Sequence, residues 1–263
     1  MTVVDTTPPP PLPVRDSTAA HERVRGVLSP MLTRLADERA TGVLVREHGT
    51  LHLAEGRVVH AESPLAPGLG ALLTAHGALD ARTWHDAEHS ADETRLLGHG
   101  VTAGALELAQ VSTLFDAAYF ALAPSSTPGR FRYGTAHWLA SVHPVPVADL
   151  ERETLRRRAL LRRIWPDPAT DAAPLIRADP VAAPAVPPRQ AAVLARVDGV
   201  RRAADIAREL GRPAFHTLVH IRRLAAAGLV SPQPPPDEDR PPPDAADPYI
   251  ALLKRVRDAL EAL

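Results

Sequence analysis

The chain has 263 residues, of which 45% are hydrophobic and 4% aromatic, and its net charge at neutral pH is −1. This length allows one large domain or two small ones, and the near-zero charge indicates no global field for nucleic acid or membranes. The absence of cysteine excludes disulfides, thiolate catalysis and cysteine-based zinc sites. The sequence has no signal peptide and no apolar run approaching about 18 residues, so we predict a cytoplasmic protein without membrane contact.

The 28 prolines are clustered, and this clustering predicts folded blocks joined by unfolded spacers. A proline-rich leader covers residues 1–19. Residues 166–187, rich in proline, alanine and aspartate, are a predicted linker, and residues 232–247 are a second, acidic linker. The predicted folded parts are therefore 20–165, 188–231 and 248–263.

The first folded part is predicted to begin with a helix and a small sheet. Apolar residues recur at helical spacing over residues 20–40, with a kink expected at Pro30. Over residues 41–63 hydrophobic residues alternate with period two, and two glycine-containing turns interrupt the alternation. This pattern predicts a three-stranded antiparallel meander. Helical spacing resumes at Leu69.

The run GVLVREHGTLHLAEGRVVHAESP, followed by GLGALLTAHGALD, resembles the PATAN family of bacterial regulatory domains. The family pattern combines a G-x-L hairpin, a strand that starts with glycine and two hydrophobic residues, and a helix with a leucine pair. The resemblance implies a non-enzymatic module that senses signals or binds regulatory proteins in two-component or small-GTPase signalling. The positions that carry it are Gly42, Leu44, Gly56, Val58, Val59, Ala61, Leu72 and Leu73.

Three further helices and a strand complete this part in the sequence. Asp80 and Thr102 are the predicted N-caps of two helices, the second of which is long and broadly apolar. The segment GRFRYGT predicts a short strand, and residues 149–164 predict a helix whose acidic residues precede its arginines, as the helix dipole favours. The PATAN resemblance covers about half of the chain and extends the domain to Trp165.

Residues 188–231 resemble the helix-turn-helix core of winged-helix proteins over ADIARELGRPAFHTLVHIRRLAAAGLV. Three short helices are predicted, with a turn at Gly211 before the third. Eight arginines against three acidic residues give this block a net charge of +5, which favours phosphate contacts. In this fold the third helix can enter the major groove. The predicted DNA-binding residues are Arg212, His216, Thr217, His220, Arg222 and Arg223.

Two departures from the winged-helix pattern keep a second interpretation open. The first turn of the third helix, Pro213 to Phe215, is poor in hydrogen-bonding side chains. A proline-rich segment follows Val230 at once, where a wing hairpin is expected. The alternative is a protein-docking version of the same fold that binds no DNA.

The C-terminal segment 248–263 predicts an amphipathic helix. Its apolar residues step by four and three and form one seam. A helix of about sixteen residues is marginal alone, so it must dock on its own domain, on a second copy in a homodimer, or in a partner's groove. The predicted partner-binding seam consists of Tyr249, Leu253, Val256, Leu260 and Leu263.

Catalytic and metal-binding motifs are weighed and set aside. The run HDAEH at residues 85–89 matches the inverted zinc-protease signature, and His216 and His220 have ligand spacing, but neither pair has an evident third ligand. His60 is interpreted as a packed strand residue. The sequence contains no phosphate-binding loop and no G-x-S-x-G motif. We therefore predict no catalytic residue, no metal site and no cofactor.

The predicted fold class is α+β and helix-rich. A small antiparallel meander packs with helices, and a separate three-helix helix-turn-helix domain and a C-terminal amphipathic helix follow. The function expected from this organisation is that of a non-enzymatic bacterial transcriptional regulator that binds DNA and uses its first domain to sense or bind a protein. The alternative is a signalling adaptor without DNA binding.

Overall fold

The computed structural model describes residues 29–75, 77–97, 100–178 and 185–234, together with Arg257. The predicted leader and the seam of the C-terminal helix lie outside these residues. The described part is α+β, which confirms the predicted fold class, and it contains no helix both long and apolar enough to cross a membrane. The helices are α1 (Pro30–Asp37), α2 (Leu69–Ala75), α3 (Ala81–Ser90), α4 (Thr94–Leu97), α5 (Ala103–Ala121), α6 (Val147–Ile164), α7 (Ala169–Ala172), α8 (Pro188–Leu194), α9 (Ala203–Glu209) and α10 (Ala214–Ala226). The strands are β1 (Gly42–Arg46), β2 (Gly49–Ala54), β3 (Arg57–Glu62), β4 (Arg130–Tyr133), β5 (Val145–Pro146), β6 (Leu175–Arg177) and β7 (Val230–Pro232).

A five-stranded antiparallel sheet in the order β4-β1-β2-β3-β5 forms the centre of the first domain. Its first three strands are the predicted meander. The second turn requires Gly56, because its φ is +77° and a Cβ there would lie 2.5 Å from the carbonyl oxygen of Ala36. Leucines from the meander pack with α5 to form the main hydrophobic core, represented by Leu44, Leu51, Leu53 and Leu114.

The predicted helix caps of the first domain are confirmed. Asp80 accepts a hydrogen bond from the backbone N–H of Thr83 at 2.9 Å, and Thr102 accepts one from Ala105 at 3.2 Å. The kink predicted at Pro30 is not observed, because Pro30 is the first residue of α1 and Ser29 is its N-cap. A proline fits at that position since its missing N–H would have no partner within the helix.

The helix-turn-helix block, formed by α8, α9 and α10, packs directly against the first domain instead of standing separate from it. Ala207 and Ala214 belong to the same hydrophobic cluster as the sheet. Gly211, in the turn, has a φ of +58°, and a Cβ there would lie 2.4 Å from the Cβ of Ala75. The guanidinium of Arg208 donates to the carbonyl of Pro64. These contacts fix the turn against α2 and the end of the meander.

The predicted linker 166–187 is ordered where it contains α7 and β6. Leu175 is fully buried and packs in the hydrophobic core of the helix-turn-helix block. β6 pairs in antiparallel register with β7, the strand that follows α10. The missing wing hairpin is therefore replaced by a strand that comes from before the block. Composition alone missed this strand because its few apolar residues lie among prolines and alanines.

Arg222 holds α10 to the end of α6 and to α7. Its side chain is 4% exposed, and its guanidinium forms a two-point ion pair with Asp171 at 2.8 and 2.6 Å. The same guanidinium donates to the carbonyls of Leu161 and Trp165 at the C-terminal end of α6. Arg222 thus satisfies helix-end carbonyls and a carboxylate together.

We predict that Arg222→Ala lowers the free energy of unfolding by about 3 kcal/mol, because it removes a buried guanidinium and leaves the partly buried Asp171 and two helix-end carbonyls without their donor. Arg223→Ala is the matched control, since this neighbouring arginine is exposed, and its change should stay within about 0.5 kcal/mol. Urea denaturation measures both variants. Equal effects of the two substitutions would contradict the structural role of Arg222.

Candidate nucleic-acid interface

Four of the six predicted DNA-binding residues lie together on one surface. Arg212, His216, His220 and Arg223 line a pocket of about 390 Å³ together with Arg189 of α8. No acidic side chain lines this pocket, whose other walls are a proline and a valine. We call these five residues the basic strip. Arg189 was not predicted, because it lies on α8, more than twenty residues before the turn and the helix that carry the other four.

The remaining two predicted residues do not reach the surface. Thr217 is 1% exposed, and its hydroxyl donates to the carbonyl of Pro213 at 3.3 Å. Arg222 is buried in its ion pair with Asp171. Both residues lie on the side of α10 that packs against the rest of the protein, so in this arrangement neither side chain is accessible to DNA.

The positive charge of the block is concentrated at the basic strip, because most arginines elsewhere are neutralised. Four arginines of the block, outside the strip, form ion pairs with acidic residues at 2.6 to 3.1 Å. Among the described residues, the three arginines of the strip form no ion pair. The paired arginines are Arg196, Arg201, Arg208 and Arg222.

Two nitrogen atoms of the basic strip are buried without a hydrogen-bond partner in the described part of the chain. They are Nη1 of Arg212 and Nδ1 of His220. The pKa of His220 is lowered by burial and by the positive charges of Arg223 and Arg212. A buried donor without an acceptor carries a free-energy cost. An anion bound at the basic strip would accept from Nη1 of Arg212 and offset the repulsion among the neighbouring positive charges.

The N-terminal end of α10 is occupied by a side chain of the first domain. Asp116 of α5, 1% exposed, accepts hydrogen bonds from the backbone N–H groups of Ala214 and Phe215 at 2.5 and 2.8 Å. Pro213 precedes the helix and provides no side-chain cap. The cap missing from the first turn of α10 therefore comes from a residue 98 positions earlier.

Arg157 of α6 completes this contact. Its guanidinium lies 3.6 Å from Asp116, 2.9 Å from Glu153 and 4.6 Å from the ring centre of Phe215. Burial raises the pKa of Asp116, while the two backbone N–H groups and Arg157 act in the opposite direction. Helix-turn-helix proteins contact bases with the N-terminal residues of this helix. In this arrangement that end faces the first domain, and the basic strip remains accessible.

The HDAEH run at residues 85–89 does not form a complete metal site among the described residues. His85 and His89 lie on α3 with ring centres 6.2 Å apart, and both are exposed. Among the described residues, no third histidine or carboxylate joins them in a ligand cluster. The seam of the C-terminal helix lies outside the described residues, so its partner-binding role stays a prediction.

Comparison of the chain with protein-family models, with curated proteins and with solved structures returned no match. The PATAN and winged-helix resemblances therefore depend on the quoted residues alone.

Replacing Asp116 with Asn should lower the free energy of unfolding by about 1 to 2 kcal/mol, because the amide cannot accept from both backbone N–H groups. Hydrogen exchange of the Ala214 and Phe215 amides should accelerate in the variant. Glu107→Gln is the matched control, since it changes an exposed acid on the same helix. Unchanged exchange of the two amides in Asp116→Asn would contradict the cap.

Proposed function

We propose that the chain is a non-enzymatic regulatory protein that binds DNA through the basic strip of its helix-turn-helix block. The observation that supports this most is the grouping of three arginines and two histidines around one pocket without an acidic lining residue, where the arginines form no ion pair within the described part of the chain. Arginine matches phosphate geometry with its planar fork of donors. The first domain then acts as the sensing or protein-binding part of the regulator.

Contacts from this surface are directed mainly at phosphates. The arginines of the strip come from α8, from the turn and from α10, so they are spaced over a surface instead of along one helix end. Phosphate contacts position a protein on the duplex, and base contacts specify the sequence. With the N-terminal end of α10 held by Asp116, selectivity between sequences depends on the exposed face that carries His216 and His220.

The test is fluorescence anisotropy of the full chain with duplex DNA over a series of salt concentrations. Three phosphate contacts predict a slope of about −2.7 in a plot of log affinity against log salt. The double variant Arg212→Ala, Arg223→Ala should bind more weakly and reduce the size of the slope by about 1.8, since two contacts are lost.

The matched control is the double variant Arg196→Ala, Arg201→Ala. It removes the same charge from the same block, but both arginines are already paired with Glu209. Its salt slope should equal that of the unchanged chain. A shallow slope in the unchanged chain, or equal losses in the two double variants, would refute a DNA-binding role of the basic strip.

A second candidate function is that of an adaptor that binds proteins and no DNA. β4 is an edge strand that pairs with β1, and no second strand of the described residues pairs with it. Its Tyr133 is 72% exposed. Exposed edges accept strands from other chains.

If the chain is an adaptor, it should show no salt-sensitive DNA binding. It should capture a protein partner, and the substitution Tyr133→Asp should abolish that capture. Arg152→Asp on α6 is the control, because it places a new charge on an exposed helix away from this edge. A partner retained by Tyr133→Asp would remove β4 from this role.

A further inference from the structure

A cluster of three histidines and one glutamate lies on β2, β3 and the segment before β5. Oε1 of Glu62 is 3.4 Å from Nε2 of His60 and 3.9 Å from Nε2 of His52. One ligating atom from each of His60, Glu62 and His137 lies within 4.8 Å of the others. His52 Nε2 is buried without a hydrogen-bond partner in the described part of the chain. We call these four residues the histidine cluster.

A shift in strand register brings this cluster together. The pairing of β2 with β3 shifts between His52 and Leu53, so Val59 is the extra residue and His52 lies opposite His60. A regular hairpin about the same turn would place His52 opposite Val59 instead. Bulges of this kind re-aim side chains and are common beside functional sites. His137 then stacks on His60, with ring centres 4.2 Å apart.

We propose that the histidine cluster is a binding site for a divalent transition metal, with His60, His137 and Glu62 as ligands and His52 as the fourth. Zinc holds nitrogen and oxygen ligands at about 2.0 to 2.2 Å in a tetrahedron, so ligand atoms lie about 3.3 Å apart. The 3.4 Å separation of His60 and Glu62 fits this spacing. Imidazole ligands favour Zn²⁺, Ni²⁺ or Cu²⁺ over Mg²⁺ and Ca²⁺.

Occupation of the site requires the ring of His137 to turn. The His60 and His137 rings are parallel to within 5°, whereas the lone pairs of both ligands must point at one ion. His137 lies in an irregular segment, and its Nδ1 accepts a long 3.3 Å hydrogen bond from the N–H of Leu139. This weak restraint and the absence of regular structure permit the rotation. The rotation also releases Nδ1 to carry the proton that a neutral ligand retains.

The surroundings of the cluster suit a ligand site better than a packed core. Gln110 is placed beside Nδ1 of His60 at 3.2 Å, and its Oε1 is buried with no partner among the described residues. Nε2 of Gln110 also donates to the carbonyl of Val59 at 2.7 Å. Metal-bound imidazoles donate their second N–H to an oxygen, so completing the site in this way exchanges the Val59 bond for one from His60 Nδ1–H to Oε1 of Gln110. A pocket of about 240 Å³ opens from His60, Glu62 and His137 between Trp84 and Trp138. This pocket gives an ion a path to the ligand atoms.

The test is titration of the untagged, chelator-treated full chain with Zn²⁺ by calorimetry and with Co²⁺ by visible absorption. We expect one Zn²⁺ per chain and the absorption bands of tetrahedral Co²⁺. His137→Ala and Glu62→Gln should each weaken Zn²⁺ binding on the order of 100-fold. Removing a residue that only hydrogen-bonds to a metal ligand already lowers metal affinity by about 10- to 100-fold, and these two residues are ligands themselves. Both residues lie at least partly exposed, so the variants should fold, and circular dichroism checks this.

The double variant His85→Ala, His89→Ala is the matched control. It removes two exposed histidines with ligand spacing from α3 and should leave the affinity unchanged. The proposal is overturned if the unchanged chain binds no Zn²⁺ at micromolar concentration. It is equally overturned if binding survives both His137→Ala and Glu62→Gln, or if it is lost in the control.

Discussion

The position of the helix-turn-helix block depends on one buried carboxylate. Asp116 lies in the middle of the apolar helix α5 and accepts from two backbone N–H groups at the start of α10. A helix start carries free N–H groups and a partial positive charge, so a buried acid is stabilised there. Because the donor and acceptor groups belong to different domains, the cap orients the block as well as ending a helix. Gly211 allows the turn to approach α2 closely enough for this contact.

This docking determines which charges of the block meet solvent. Once the N-terminal end of α10 faces α5, Thr217 and Arg222 lie on the inward side. The outward side carries the exposed His216 and Arg223 and the half-buried His220. Four arginines are neutralised by acids nearby. The net charge of +5 counted from the sequence suggests positive charge spread over the whole block. In the structure the positive charge is instead concentrated at the basic strip. Local pairing decides where a phosphate can bind.

The sequence predicted those elements whose signal is local. Alternation and turn glycines predicted the meander, and Asp80 and Thr102 predicted helix starts, because a cap acts within three residues. The non-local parts were missed. A regular hairpin would not pair His52 with His60, so the bulge at Val59 hid the histidine cluster. Arg222 and Arg223 are adjacent and chemically identical. Tertiary packing alone determines that Arg222 forms a buried ion pair whereas Arg223 is exposed to solvent.

The α2 helix connects the histidine cluster to the helix-turn-helix block. Its first residues, Leu69 to Ala71, line the pocket beside the cluster, and Gly70 lies so close to Trp84 that a Cβ would be 2.4 Å from the indole ring. Its last residue, Ala75, meets Gly211 in the turn. Close packing at both ends leaves little free space for independent movement. α2 is therefore held at one end by Trp84, beside the histidine cluster, and at the other by the turn that leads into the helix capped by Asp116.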